Sequence, residues 1–208
     1  MPRMTVTALA LAASLSFTAA ASPAWADKVT DAIDKAAAAY KAGKMSAATT
    51  ELQYALTKIK ERLAKAYIAT FPDAPEGWRA GRVRSSAGNA MVRMAGQVIS
   101  RRYTQQGGRG RLNAQLIVDN PTMQAFLTLF ANPTYARSAG YDPIKIDGVP
   151  ETAMLKYDEN RKRGDLIFIM AGRVVIKVTG RQLENGNVLS SLVKRWNIAQ
   201  VRKTAGIK

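Results

Sequence analysis

The sequence predicts an α+β fold in which an N-terminal helical hairpin precedes a mostly antiparallel sheet layered with helices. Three observations carry that expectation. Apolar residues recur at helical spacing between Val29 and Tyr67, and from Val98 onward the period changes to two. The strand-like segments of the last third are joined by turns too short for crossovers, so neighbouring strands must run antiparallel.

Ahead of the hairpin, Arg3, the apolar run Val6 to Phe17 and the small-x-small pattern Ala24-Trp25-Ala26 form the three parts of an export signal. Residues 1–26 are therefore expected to be removed after Ala26, leaving a periplasmic or secreted protein that starts at Asp27. The apolar run is about a dozen residues, short of the roughly 20 that span a bilayer, so no transmembrane anchor is expected.

Residues 27–70 are the expected hairpin. Val29, Ile33, Ala36, Ala37 and Tyr40 fall on one helical face, Gly43 ends that helix, and Ser46 caps the next. The second helix carries Leu52, Leu56, Ile59, Leu63 and Tyr67 on one stripe, which is expected to pack the hairpin onto the sheet domain. Gly43, Ala48 and Ala55-Leu56 resemble the inner half of a tetratricopeptide repeat, but one hairpin is no array, which takes about three repeats.

Residues 71–97 read as a linker and basic loop. Phe71-Pro-Asp-Ala-Pro-Glu-Gly-Trp78 holds two prolines and a glycine, and Trp78 is expected to plug a core groove. Arg79 to Val98 has no clean period, and reads as a loop or a weak helix around Asn89 to Met94.

The sheet domain is expected over 98–208. Val98 to Gln105 and Arg111 to Val118 flank a glycine-rich loop as a β-hairpin, with Leu112, Ala114, Leu116 and Val118 on one face. Asn120-Pro121 starts a helix buried through Phe126, Leu127 and Phe130 and stopped by Asn132-Pro133. Strands are then expected at Pro143 to Ile146, Thr152 to Tyr157, Asp165 to Met170 and Arg173 to Thr179. A helix capped by Asn187, with Leu189, Leu192, Val193 and Trp196 inward, precedes a basic tail. This order over Trp78 to Arg202, with the Asn-Pro helix after a hairpin and the Val-Ile-Lys-Val-Thr-Gly strand before a final helix, resembles the PsbP-like α/β sandwich of exported bacterial proteins. The resemblance implies an accessory or scaffold module and carries no catalytic residue across.

Composition excludes several chemistries. The 208 residues include no cysteine and no histidine. Disulfides, thiol nucleophiles, Ser-His-Asp triads and the usual zinc ligands are thereby absent. No catalytic residue, cofactor or metal site is expected. Asp158-Glu159-Asn160 lies beside Arg161-Lys162-Arg163, which repels a cation and reads as a solvated turn. Gly107-Gly108-Arg109-Gly110 lacks the Lys-Ser/Thr ending of a phosphate-binding loop.

The net charge is +16 at pH 7, and it is unevenly placed. Residues 27–76 hold 8 bases and 7 acids, while Gly77 to Val118 holds 8 arginines with no lysine and no acid. Guanidinium groups without local partners point to an anionic ligand, with Arg101, Arg102, Arg109 and Arg111 as the candidate anion-binding residues. The competing reading is an ordinary cationic surface. Two function classes remain. One is a non-catalytic binding module for anionic lipid, a cell-wall polymer or an acidic protein, with nucleic acid disfavoured by export and by strands that show no row of exposed aromatics for stacking. The other is an enzyme acting on a phosphorylated or carboxylated substrate without His or Cys.

Overall fold

The computed structural model describes residues 24–85, 96–120, 127, 130 and 132–207, which belong to two compact units, Met1–Ala55 and Leu56–Lys208. Of the expected export signal, residues 1–26, the first 23 lie outside the described residues, and helix α1 (Ala24–Lys41) takes in Ala24 to Ala26.

The first unit holds α1 and the opening turns of α2 (Met45–Ile68). Gly43 joins them at φ +73°, a left-handed conformation that glycine adopts without a Cβ clash. Over residues 28–41 of α1, Val29, Ala32 and Ala36 are buried, and Val29 and Ala32 cluster with Ala55 of α2. This corrects the expected phase, because Ile33 and Tyr40 are exposed. Interhelical distance is set by the side chains at the contact, and alanines permit an approach that Ile or Tyr would prevent.

The second unit receives the rest of α2. Its part of the aliphatic stripe does not pack on the sheet as expected, since Leu56 is exposed at 50 %, Ile59 at 38 % and Leu63 at 36 %; Leu52, in the first unit, is exposed as well. The helix enters the core one turn later, through Tyr67, with Ile68 and Phe71 beside it.

Eight strands among the described residues form one sheet. They are β1 (Trp78–Ala80), β2 (Arg84–Ser85), β3 (Gln97–Gln105), β4 (Arg111–Val118), β5 (Asp142–Ile146), β6 (Val149–Asp158), β7 (Arg163–Met170) and β8 (Val174–Arg181). Their spatial order is β1-β3-β4-β8-β7-β6-β5, with β2 also paired to β3, and each pairing is antiparallel. The α+β class is thus as the sequence indicates. Strands β1 and β2 occupy part of the segment read as linker and loop; Asn89 to Met94 lie outside the described residues.

Three helix assignments differ from expectation. Asn132 lies just past the helical Phe130, outside the helix, and Asn132-Pro133 also starts a helix that was not expected, α3 (Pro133–Ser138), with the Asn132 side chain accepting from the amides of Thr134 and Tyr135. An Asn-Pro pair can end the segment before it and equally serve as cap and first turn of the helix after it. Of the helix expected from Pro121, Leu127 and Phe130 are helical and Phe126 lies outside the described residues. Helix α4 (Asn187–Lys194) buries Leu189, Leu192 and Val193, but Asn187 is its first residue and not its cap: the N-cap is Gly186, which has no side chain to offer, and the Asn187 amide donates to the Asn185 side chain. The expected basic tail is a further helix, α5 (Ile198–Ala205), capped by Asn197 and buried through Ile198, Val201 and Ala205.

The sheet has two distinct faces. One carries Ile99, Tyr103, Leu112, Leu116, Ile176, Val178, Leu166, Phe168 and Met170 into the main core with Tyr67, Phe71 and the residues of α4 and α5. Trp196 closes this core, its ring 4.5 Å from Phe71 and its indole N–H donating to Thr70 Oγ1 at 3.2 Å. Gly164 and Gly180 are cross-strand neighbours on this face. A Cβ on Gly164 would meet Leu189 at 2.9 Å, and one on Gly180 would strike Leu183 and Leu112, so both positions need glycine for close packing. On the other face Ile167 and Val175 are covered by Phe130 and Tyr141, and Ile117 and Ile169 join them.

Candidate anion-binding face

The strand register builds the candidate site. Cross-strand partners share a face, so the pairings can be read as rows running across the sheet. The outermost row on the second face is Arg79–Thr104–Arg111–Arg181–Arg163–Asp158, from β1 through β3, β4, β8 and β7 to β6. The next row inward is Arg102–Asn113–Thr179–Asp165–Lys156. A third, Ser100–Gln115–Lys177–Ile167–Met154, starts the apolar part that Phe130 and Tyr141 cover. The same face therefore grades from cationic at one end to buried and apolar at the other.

Arg111 opposes Arg181, and Arg181 opposes Arg163. Like charges directly opposite each other destabilise a strand pair, so this row carries an electrostatic cost in the free protein. Arg79, Arg102, Arg111 and Arg181 are exposed and form no ion pair among the described residues. Arg163 has Asp158 Oδ2 at 3.9 Å. Lys156, Asp158, Arg163, Asp165, Thr179 and Arg181 line a depression of about 360 Å³ at the β6–β8 end of the rows.

The four arginines singled out from sequence do not converge. Arg102 and Arg111 lie on the cationic face, in adjacent rows. Arg101 points to the opposite face, where Nε donates to the Gly81 carbonyl and Nη1 to the Pro72 carbonyl, each at 2.9 Å, with the guanidinium 5.6 Å from the Tyr103 ring centroid. That residue fixes the segment before β1 against β3. Tyr103 donates its hydroxyl to the same Pro72 carbonyl at 2.8 Å, and burial pushes its phenol up to about 12 against the opposing pull of Arg101. Arg109 sits exposed in the β3–β4 loop, which closes on Gln105, whose side chain accepts from the Gly110 amide at 3.1 Å.

Arg163 and Arg181 are not among the residues singled out from sequence, because the strands expected there start at Asp165 and end at Thr179 and leave both arginines in turns. The signal is nonetheless present in Arg163-Gly-Asp165 and Thr179-Gly-Arg181, where the period of two continues to the strand ends. Asp158 accepts from the Arg161 amide at 3.0 Å, and so caps the β6–β7 turn. Among the described residues no cluster of three or more carboxylate, Cys or His side chains could hold a metal, and no helix is long and apolar enough to cross a membrane.

No protein family, no curated protein and no solved structure matches the chain.

Proposed function

We propose that this chain is an exported, non-catalytic binding module whose cationic sheet face holds an anionic ligand or surface. The row Arg111–Arg181–Arg163 carries the proposal: three guanidinium groups on neighbouring strands are costly in the free protein and become favourable once an anion lies across them. The resemblance of the sequence to the PsbP-like sandwich, which implies an accessory or scaffold module, supports a binding role, and the pattern of residues 1–26 supports export.

The test separates stability from binding. Arg181→Gln removes the central charge of the row, so at low ionic strength it should raise the midpoint of thermal unfolding while weakening binding to inorganic polyphosphate by about tenfold, one charge-assisted contact. Opposite movements are the signature of a site held against its own repulsion. A variant that loses both stability and binding, or keeps wild-type binding, contradicts the proposal.

A second reading rests on the two carboxylates in the depression. Asp165 lies in the row beside Arg163 and Arg181, and an enzyme acting on a phosphorylated or carboxylated substrate would use it as the reactive group. Turnover of a phosphate ester, lost in Asp165→Asn with binding retained, would favour that reading.

A further inference from the structure

We infer that the ligand is a linear phosphate polymer lying across the strands, along the outer row of arginines; this rests on the anion-binding reading above. From Arg79 on β1 to Arg163 on β7 the row crosses four strand-to-strand steps, each about 4.8 Å, for a span of roughly 19 Å. Arg79, Arg111, Arg181 and Arg163 stand on it, Thr104 occupies the β3 position, and Arg102 lies two residues along β3 in the next row. A single phosphate or carboxylate would satisfy two neighbouring guanidinium groups and leave the others without an anion. A chain with many charges satisfies the whole row.

The spacing selects among polyanions. An extended acidic peptide presents carboxylates on one side every second residue, about 7 Å apart, which is sparser than the arginines on the adjacent strands β4, β8 and β7, about 4.8 Å apart. Phosphate polymers reach higher charge density; a nucleic-acid strand carries one phosphate per about 3.4 Å of helix axis. The outer two rows offer no aromatic side chain, only Arg, Lys, Asp, Thr and Asn. The nearest ring on that face, Tyr141, is half-buried against Phe130 and has the Lys156 ammonium 5.5 Å from its centroid, so the rows offer no series of rings for successive bases and the polymer is read through its backbone charge.

The experiment compares the full chain's binding to tripolyphosphate, long-chain inorganic polyphosphate, polyglutamate and oligo-thymidine by calorimetry at one ionic strength. Long-chain polyphosphate should bind at least about tenfold tighter than tripolyphosphate. That gain should disappear in Arg79→Gln and Arg163→Gln, which remove the ends of the row, while tripolyphosphate binding persists in both. Circular dichroism of each variant shows whether the fold is kept, and a double variant, Arg79→Lys with Arg163→Lys, should restore most of the gain if charge along the row is what counts. Equal affinity for tripolyphosphate and long polyphosphate would overturn the extended geometry and leave the anion-binding reading standing. Polyglutamate binding as tightly as polyphosphate would overturn the phosphate class, and tighter binding of oligo-thymidine would overturn backbone-only reading. Binding of none of the four would overturn the anion-binding reading itself.

Discussion

Trp196→Ala is expected to destabilise the sheet unit by about 3 to 5 kcal/mol. The indole is 4 % exposed, stacks at a tilt on Phe71 and donates to Thr70 Oγ1, which in turn donates to the Tyr67 carbonyl at 2.7 Å. One side chain therefore joins the C-terminal helices to the end of α2 and the segment after it. Truncation leaves both a cavity and an unfilled acceptor on a buried threonine. Domains of this size hold about 5 to 15 kcal/mol in total, so the variant should unfold at a far lower urea midpoint. Trp196→Phe keeps most of the packing and should lose only part of that stability. A midpoint for Trp196→Ala close to that of the wild type would mean that the α4–α5 layer is not integral to the core.

The second large effect is on binding. Replacing Arg102, Arg111 and Arg181 together by Glu puts three negative charges into the outer rows, and polyphosphate affinity should fall at least a hundredfold, or about 2.7 kcal/mol. The matched control replaces Lys28, Lys35 and Lys44, exposed residues of the helical hairpin, by Glu. It changes net charge by the same amount and should cost less than about threefold at physiological ionic strength, where exposed charges are screened beyond about 8 Å. Any protein with net charge +16 adheres weakly to polyanions, so only the difference between the two variants identifies a site. Equal losses would reduce the arginine rows to ordinary cationic surface.

The contrast between the legible and the hidden parts of the fold has a physical basis. The β3–β4 hairpin can be read almost to the residue because the buried Leu112, Ala114, Leu116 and Val118 alternate strictly with the less buried Arg111, Asn113, Gln115 and Ile117. The helical hairpin is legible as helices but not in phase. A stripe of Leu and Ile predicts a buried face by the hydrophobic effect, yet most of the buried residues there are alanines, Ala32, Ala36, Ala48, Ala55 and Ala64, and alanine is silent in a pattern built on large side chains. Strands β1 and β2 stay hidden because three- and two-residue strands are too short to show a period.

The site is legible in composition and not in geometry. An acid-free run of arginines points to anion chemistry, but adjacent Arg101 and Arg102 point to opposite faces of β3, which only the register decides. Arg101 is a clamp on two carbonyls, and its partners Pro72 and Gly81 are 29 and 20 residues away in sequence. Arg163 and Arg181 join the row through pairing of β7 with β8, at strand ends that extend two residues past those the hydrophobic pattern marks.

The central claim is that anions bind on the outer rows of one sheet face, and amide chemical-shift mapping tests it most directly. Titrating isotope-labelled full-length protein with tripolyphosphate should move the amides of Arg111, Arg163, Asp165, Thr179 and Arg181, at one end of β4, β7 and β8, while those of α1 and of Ile169 and Val175 stay in place. Shifts centred on the lysines of α1, or spread evenly over the basic residues, would contradict the account.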